Sequence, residues 1–237
     1  MCKKMIKTMK IAGLKCQLYL PEDYEKCSKF YPVIYVNGEI PLEDILAETK
    51  KQGNSLDFLM LSIKPNSWND DFTPWSAPAF HVEEAVPLGN ADKYIKKLIE
   101  EIKPFIDENF RTRKEPENTI LIGYSLGGLT ALYAMYKTNL FGKIGSLSGS
   151  LWYDDWVAFM EKTIPETKAC KVYLSLGKKE SKSRNARMAK VADCTEKATE
   201  IFKSHFGEES IYFEWNEGGH FTDIPKRFAK AVSWLIG

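Results

Sequence analysis

The chain has 237 residues, of which 44% are hydrophobic and 27% charged, and this length suits one α/β domain over residues 1–237. The 33 Lys and Arg residues nearly balance the 32 Asp and Glu residues, which argues against a nucleic-acid binder that relies on a broad basic surface. No run approaches the roughly 18 apolar residues of a membrane span. Because Lys15 and Gln17 interrupt the stretch after the basic N-terminus, we expect an unexported, cytoplasmic protein.

The first half of the chain predicts strands at residues 5–11, 15–20, 31–36 and 57–63, with a helix at 42–52. Residues 64–90, called the excursion below, carry several prolines and little periodicity, and loops of this length are usually functional. An amphipathic helix is predicted at 91–109, because Tyr94, Leu98 and Ile102 share one side of it.

In the second half of the chain, predicted strands also alternate with predicted helices. Strands are predicted at 119–122, 143–148, 171–176 and 211–215, and helices at 128–136, 154–161, 187–206 and 223–236. Apolar strands that alternate with helices predict a mostly parallel central sheet flanked by helices on both faces. The chain has no repeats, low-complexity stretches or linkers, which is consistent with one domain.

The stretch Gly123-Tyr124-Ser125-Leu126-Gly127 is a G-x-S-x-G motif between a predicted strand and a predicted helix. Small residues two positions on either side of the serine allow a sharp turn that exposes its hydroxyl. The N–H groups of the new helix point at the place where an oxyanion would form. Ser125 is therefore the predicted nucleophile, although the motif also occurs in ordinary turns.

A serine nucleophile needs a base, and the chain has three histidines, His81, His205 and His220. His220 alone follows a predicted strand end, where open α/β sheets carry their chemistry, so it is the predicted base. The predicted acid is Glu180, which follows the strand at 171–176 and could orient the imidazole. The alternatives that remain open for the acid are Asp154, Asp155, Asp193 and Glu217.

Two backbone donors are needed for the oxyanion hole. One is expected from Leu126, the residue after the nucleophile, and the other from the turn at Asn37-Gly38-Glu39, with Gly38 as the candidate.

The chain resembles the putative-esterase family of α/β-hydrolases, the group that holds esterase D, feruloyl esterases and trilactone siderophore esterases. The resemblance runs from about residue 15 to the end and lies in residues 31–38, 72–75, 94–112, 123–129, 146–152 and 177–180, in Arg184, Asn185 and Met188, and in Gly218-Gly219-His220. It implies an α/β-hydrolase fold, with Ser125 as nucleophile, Glu180 as acid and His220 as base. It also puts Leu126 and Gly38 where the family supplies oxyanion donors.

Two departures from the family bear on substrate. Many relatives have Asp-Gly where this chain has Asn37-Gly38, and many have an arginine shortly before Thr73-Pro74, where this chain has Trp68-Asn69-Asp70-Asp71. Because the triad residues are unaffected, the departures predict a different substrate rather than a different reaction.

Aromatic residues border the predicted site and could form an aryl- or acyl-binding wall, although some of them are expected in the core. The substrate-binding candidates are Trp68, Trp75, Tyr124 and Trp152, and the other aromatic residues in these segments are Phe72, Phe80, Tyr153 and Trp156. A basic run at 178–187 could attract an anionic substrate such as a catecholate siderophore, or could be a solvated face.

The leading hypothesis is a serine carboxylesterase that forms an acyl-enzyme on a small-molecule ester, with no metal or redox cofactor. The five scattered cysteines, without C-x-x-C, predict neither a disulfide framework nor a zinc site. An acyltransferase or a thioesterase would use the same triad, and a binding protein on a hydrolase scaffold is the non-enzymatic alternative.

Overall fold

The computed structural model describes residues 6–80, 83–168 and 170–237, so residue 5 of the first predicted strand and His81 lie outside the described residues. The strands are β1 (Ile6–Ile11), β2 (Leu14–Tyr19), β3 (Val33–Asn37), β4 (Leu59–Ile63), β5 (Thr119–Tyr124), β6 (Lys143–Leu147), β7 (Lys171–Gly177) and β8 (Ile211–Asn216). They form one sheet in the order β1-β2-β4-β3-β5-β6-β7-β8. The pairs β1–β2 and β2–β4 are antiparallel and the others are parallel, which confirms the mostly parallel sheet.

The central strands are buried along their whole length, as their continuous apolar runs predict. Asn37 at the end of β3 pairs with Gly123, Tyr124 pairs with Leu147, and Gly177 pairs with Asn216. The carboxyl ends of β3 and of β5 through β8 therefore lie along one edge of the sheet. The segments that follow these five strands share that edge.

Helices cover both faces of the sheet. They are α1 (Leu42–Lys51), α2 (Trp68–Asp71), α3 (Ala91–Lys97), α4 (Lys103–Asn109), α5 (Leu126–Ala134), α6 (Trp156–Lys162), α7 (Val191–Phe206) and α8 (Ile224–Ile236). Helices α1 and α8 pack with one apolar cluster, and the apolar residues of α3 to α7 pack with the other. The two clusters have different strand residues, as expected for a sheet whose side chains alternate between its faces.

The amphipathic segment predicted as one helix at 91–109 contains a wider turn, Leu98–Ile102, between α3 and α4. Pro104 explains the difference, because proline has no N–H and its ring clashes with the carbonyl four residues earlier. The N–H of Lys103 instead reaches back five residues to Leu98 O, which is the bond of a π-turn.

The excursion (residues 64–90) packs on the edge of the sheet that carries the strand carboxyl ends. The Thr130 hydroxyl on α5 donates to Phe72 O at 2.9 Å, and the Asn185 amide donates to Phe80 O at 3.1 Å. Within the excursion, Leu88 N–H donates to Asp70 Oδ1 at 2.8 Å. Over the described ranges, none of the helices is long and apolar enough to cross a membrane.

Candidate active site

Ser125 lies on the turn between β5 and α5, with φ 55° and ψ −123°, a conformation that is rare for a residue with a side chain. The glycines around it are required by space. A Cβ on Gly123 would lie 2.0 Å from Gly127 O, and one on Gly127 would lie 2.7 Å from Asn37 O. The close approach of β3, β5 and α5 thus exposes the Ser125 hydroxyl at the carboxyl edge of the sheet.

The Ser125 hydroxyl is 3.2 Å from Ser150 Oγ. The backbone supports this pairing, since Ser150 N–H donates to Ser125 O at 3.1 Å and Ser125 N–H donates to Leu147 O at 3.0 Å. Within the described ranges, Ser150 rather than His220 is the hydrogen-bond partner of the nucleophile candidate. The sequence pattern placed Ser150 after a strand but assigned it no role.

His220 and Glu180 are brought together from the loops that follow β8 and β7. His220 Nδ1 lies 2.7 Å from Glu180 Oε2, and the two side chains are 31% and 4% exposed. The carboxylate accepts a hydrogen bond from Nδ1–H, which leaves Nε2 free to act as a base. The other candidates for the acid, Asp154, Asp155, Asp193 and Glu217, do not contact His220 in the described structure, and Asp154 and Glu217 form ion pairs with Arg187 and Lys178.

The second oxygen of Glu180 is also fully engaged. Oε1 accepts hydrogen bonds from Ser148 Oγ at 2.7 Å, Gly177 N at 2.7 Å and Arg227 Nη1 at 3.1 Å. Burial alone would raise the pKa of Glu180, but hydrogen bonds from His220, Ser148 and Gly177 and the positive charge of a protonated His220 outweigh it and lower that pKa. Glu180 is therefore held as a carboxylate.

Tyr124 takes part in this buried network. Its hydroxyl donates to the His220 carbonyl and accepts from Arg227 Nη1, and its ring lies 5.3 Å from that of His220. Burial raises the pKa of Tyr124. The hydroxyl thus holds the loop that carries His220, and contact between Tyr124 and a substrate stays a prediction. Arg227 carried no signal in the sequence beyond its place in a helix.

Leu126 is the first residue of α5, where the helix offers its N–H no acceptor, so this donor remains available. Gly38 differs from expectation, because its N–H donates to Ile63 O at 2.9 Å. The Gly38 N–H is therefore engaged in the described structure, and the next N–H in the same turn, that of Glu39, becomes the candidate for the second donor. Gly38 still has to be glycine, because its φ is 119° and a Cβ would lie 3.0 Å from the Trp68 ring.

The turn that carries Glu39 is fixed at several points. The Glu39 carboxylate pairs with Lys15 at 2.7 Å and Lys64 at 2.8 Å, and these lysines lower its pKa to about 2. Asn37, which replaces the aspartate of many relatives, donates to Gly127 O at 3.0 Å and accepts from the Tyr94 hydroxyl at 2.9 Å. An aspartate could not make that first bond while ionised, so this departure acts on the turn after β5.

The aromatic candidates divide into rim and core. Trp68 is 40% exposed and lies beside Gly38, and Trp152 is half-buried two residues after Ser150. Phe221, which the sequence reasoning missed, is 84% exposed, and its ring lies 4.9 Å from that of His220. Trp75 packs against α6 and its indole donates to Asp154 O at 3.0 Å, so it belongs to the packing of the excursion. The remaining candidates are buried: Phe72, Phe80, Tyr153 and Trp156.

The basic run at 178–187 is partly neutralised. Lys178 pairs with Glu217, and Arg187 pairs with Asp154 while also donating to Pro78 O and Ala79 O. Arg187 thus joins the excursion to the loop after β6, and its guanidinium lies 5.6 Å from the Trp152 ring. Lys179, Lys182 and Arg184 are exposed on the same loop.

Within the described ranges, no group of three or more His, Cys, Asp or Glu residues is arranged to hold a metal ion. Cys16, Cys27, Cys170 and Cys194 are free thiols, and Cys2 lies outside the described residues.

A family model described as "Putative esterase" matches residues 12–223 of this chain. One curated relative is "Uncharacterized protein YbbA" of Bacillus subtilis strain 168, which is 27% identical over 236 residues that span 96% of this chain and 94% of the relative.

Two solved structures show the same fold at low sequence identity. An IroE-like serine hydrolase from Shewanella oneidensis is similar with a TM-score of 0.79 and 16% identity, over 95% of this chain and 78% of that one. The siderophore hydrolase EstA from Aspergillus nidulans is similar with a TM-score of 0.78 and 17% identity, over 98% of this chain and 94% of that one. These likenesses and the strand order confirm the predicted α/β-hydrolase fold.

Proposed function

This chain belongs to the putative esterase family and is an ester hydrolase, and we propose that it cleaves carboxylic esters through a triad of Ser125, His220 and Glu180. The observation that carries this proposal is the His220–Glu180 hydrogen bond of 2.7 Å, with the His220 ring against Tyr124, the residue before a strained, half-buried Ser125. An oriented imidazole next to a serine on such a turn is the arrangement that nucleophilic acyl transfer requires.

In the proposed reaction, the Ser125 hydroxyl turns from Ser150 toward His220 Nε2, which takes its proton as Oγ attacks the ester carbonyl carbon. The N–H groups of Leu126 and Glu39 stabilise the negative oxygen of the tetrahedral intermediate. When the ester C–O bond breaks, the imidazolium gives its proton to the leaving alcohol. A water molecule, deprotonated by His220, then attacks the acyl-enzyme, and the carboxylic acid leaves as Ser125 regains its proton.

For the substrate, we propose esters that carry an aryl group, including siderophore-type esters. Each of three exposed or half-buried aromatic residues borders one working part of the site: Trp68 borders the turn of Gly38, Trp152 follows Ser150, and Phe221 contacts His220. Flat apolar walls around a polar centre favour an aromatic ligand. The likeness to a protein described as a siderophore hydrolase supports the same class.

Hydrolysis of p-nitrophenyl acetate and butyrate by wild type and Ser125→Ala tests the triad. We expect wild-type hydrolysis to fall by about a million-fold, or to the assay floor, because a triad without its nucleophile retains little activity. Ser204→Ala, at an exposed serine late in α7, is the matched control and should keep full activity. Labelling of wild type but not Ser125→Ala by a fluorophosphonate would add support. Wild-type rates in Ser125→Ala would contradict the proposal.

A further inference from the structure

Arg227 lies at the centre of a buried polar network that the reaction scheme above does not use. Its side chain is 1% exposed, and an isolated buried guanidinium would be strongly unfavourable. Nη1 donates to Glu180 Oε1 at 3.1 Å, Ser148 Oγ at 2.5 Å and the Tyr124 hydroxyl at 3.1 Å. One nitrogen therefore contacts both the acid of the proposed triad and the tyrosine that holds the His220 carbonyl.

The other terminal nitrogen holds the loop that carries the base. Arg227 Nη2 donates to Gly219 O at 2.8 Å and to Glu217 O at 3.4 Å. The partners of this guanidinium follow or end four neighbouring strands: Tyr124 ends β5, Ser148 follows β6, Glu180 follows β7, and Gly219 follows β8. Arg227 therefore joins the segments that carry the acid and the base.

Gly177 provides the space that the guanidinium occupies. A Cβ on this residue would lie 2.8 Å from Arg227 Nη2, 2.8 Å from Glu180 Oε1 and 2.8 Å from Gly218 O. The absence of a side chain at the end of β7 is thus a condition for this network.

We propose that Arg227 is a positioning residue of the ester hydrolysis, which fixes the Glu180 carboxylate and the His220 loop. This inference rests on the proposed function. The guanidinium donates to Glu180 Oε1 through one nitrogen and to the Gly219 carbonyl through the other, so its removal would free both the acid and the loop that carries the base.

The test follows the imidazole itself as well as activity. The chain has three histidines, so ¹⁵N NMR resolves a small set of imidazole signals, and His220→Gln identifies the one to follow. In Arg227→Met, we expect the signal of the Nδ1 proton that is shared with Glu180 to broaden or disappear, because neither the carboxylate nor the His220 loop is then fixed. We also expect kcat to fall at least 100-fold while KM stays within threefold.

Three further variants separate position from simple folding. Arg227→Lys keeps the charge and a donor and should restore the Nδ1 proton signal, with kcat only partly recovered. Gly177→Ala leaves Arg227 in the sequence but displaces its guanidinium, and should lower kcat at unchanged KM. Lys226→Met removes an exposed charge one residue away and should match wild type in every measurement.

A wild-type Nδ1 proton signal and wild-type kcat in folded Arg227→Met would overturn the proposal. If that variant does not fold, wild-type behaviour of both Arg227→Lys and Gly177→Ala would overturn it. A loss of signal and of kcat in Lys226→Met as large as in Arg227→Met would do so as well, because the effect would then be a general charge effect. If Ser125→Ala remains active, the proposed triad fails, while the NMR signal still decides whether Arg227 positions His220.

Discussion

At the scale of single residues, the candidate acid is defined by its neighbours more than by its own chemistry. Glu180 accepts hydrogen bonds on both oxygens, from an imidazole, a hydroxyl, a backbone N–H and a guanidinium. Buried charges are tolerated only when they are paired and hydrogen-bonded, and this carboxylate satisfies both conditions. The same contacts that orient His220 therefore stabilise the folded chain.

Glu180→Gln is expected to destabilise the protein by about 3 kcal/mol at pH 7, because it leaves the Arg227 guanidinium buried without its counter-charge. Urea unfolding of wild type and variant would measure the difference. The pKa of Glu180 is lowered in the folded state, so its stabilisation is present above the ordinary range of a glutamate and is lost as pH falls through the folded value. The difference in the free energy of unfolding between wild type and Glu180→Gln should therefore shrink below about pH 4. A difference that is independent of pH would contradict this account.

At the scale of elements, the turn between β5 and α5 is decided by steric contact. Three glycines follow or precede the nucleophile closely, and the space beside each is already occupied by backbone or by the Ser146 hydroxyl. Ser125 keeps a positive φ because β5 packs in both apolar clusters and α5 packs in one of them. The packing of β5 and α5 thus stabilises the strained backbone of the turn that joins them.

Gly123→Ala should destabilise the protein by at least about 3 kcal/mol, because the new methyl would lie 2.0 Å from Gly127 O, a backbone atom that cannot move alone. Gly219→Ala is a matched control, since a Cβ there meets nothing within 4 Å and the change should stay within about 0.5 kcal/mol. Thermal or urea unfolding would measure the stability of both variants relative to wild type. Equal stability of both variants would show that the turn relaxes more freely than its contacts indicate.

At the scale of the whole molecule, the aromatic rim is assembled from segments far apart in the chain. Phe80 of the excursion packs edge-on against Trp152 with ring centroids 5.5 Å apart, and Arg187 from the loop after β7 lies over the same indole. Asn185 and Arg187 both donate to carbonyls of the excursion. The excursion therefore packs at the same edge of the sheet as the candidate active site.

Trp152→Leu is expected to raise KM for aryl esters about tenfold, the equivalent of about 1.4 kcal/mol of lost aromatic contact, while short alkyl esters change little. Trp234→Leu is the matched control, because Trp234 lies near the end of α8 and under Lys171, the first residue of β7, away from the carboxyl edge of the sheet. Steady-state kinetics on paired aryl and alkyl esters would give the KM of each variant and test for an aryl subsite. An equal rise in KM for both ester classes would argue against an aryl subsite.

The sequence by itself determined most of the elements and the candidate catalytic side chains. Apolar runs and helical periodicity fixed the alternation that forms a mostly parallel sheet, and the G-x-S-x-G motif identified Ser125, because these signals are local along the chain. Position after strand ends selected His220 and Glu180, because parallel strands bring their carboxyl ends to one edge.

Only the tertiary structure decided the contacts between distant segments. Arg227 contacts Glu180, Ser150 contacts Ser125, the Tyr124 hydroxyl donates to the His220 carbonyl, and the Gly38 N–H donates to Ile63 O. Each of these outcomes depends on a partner at least 20 residues away in sequence, and no local pattern records such a partner.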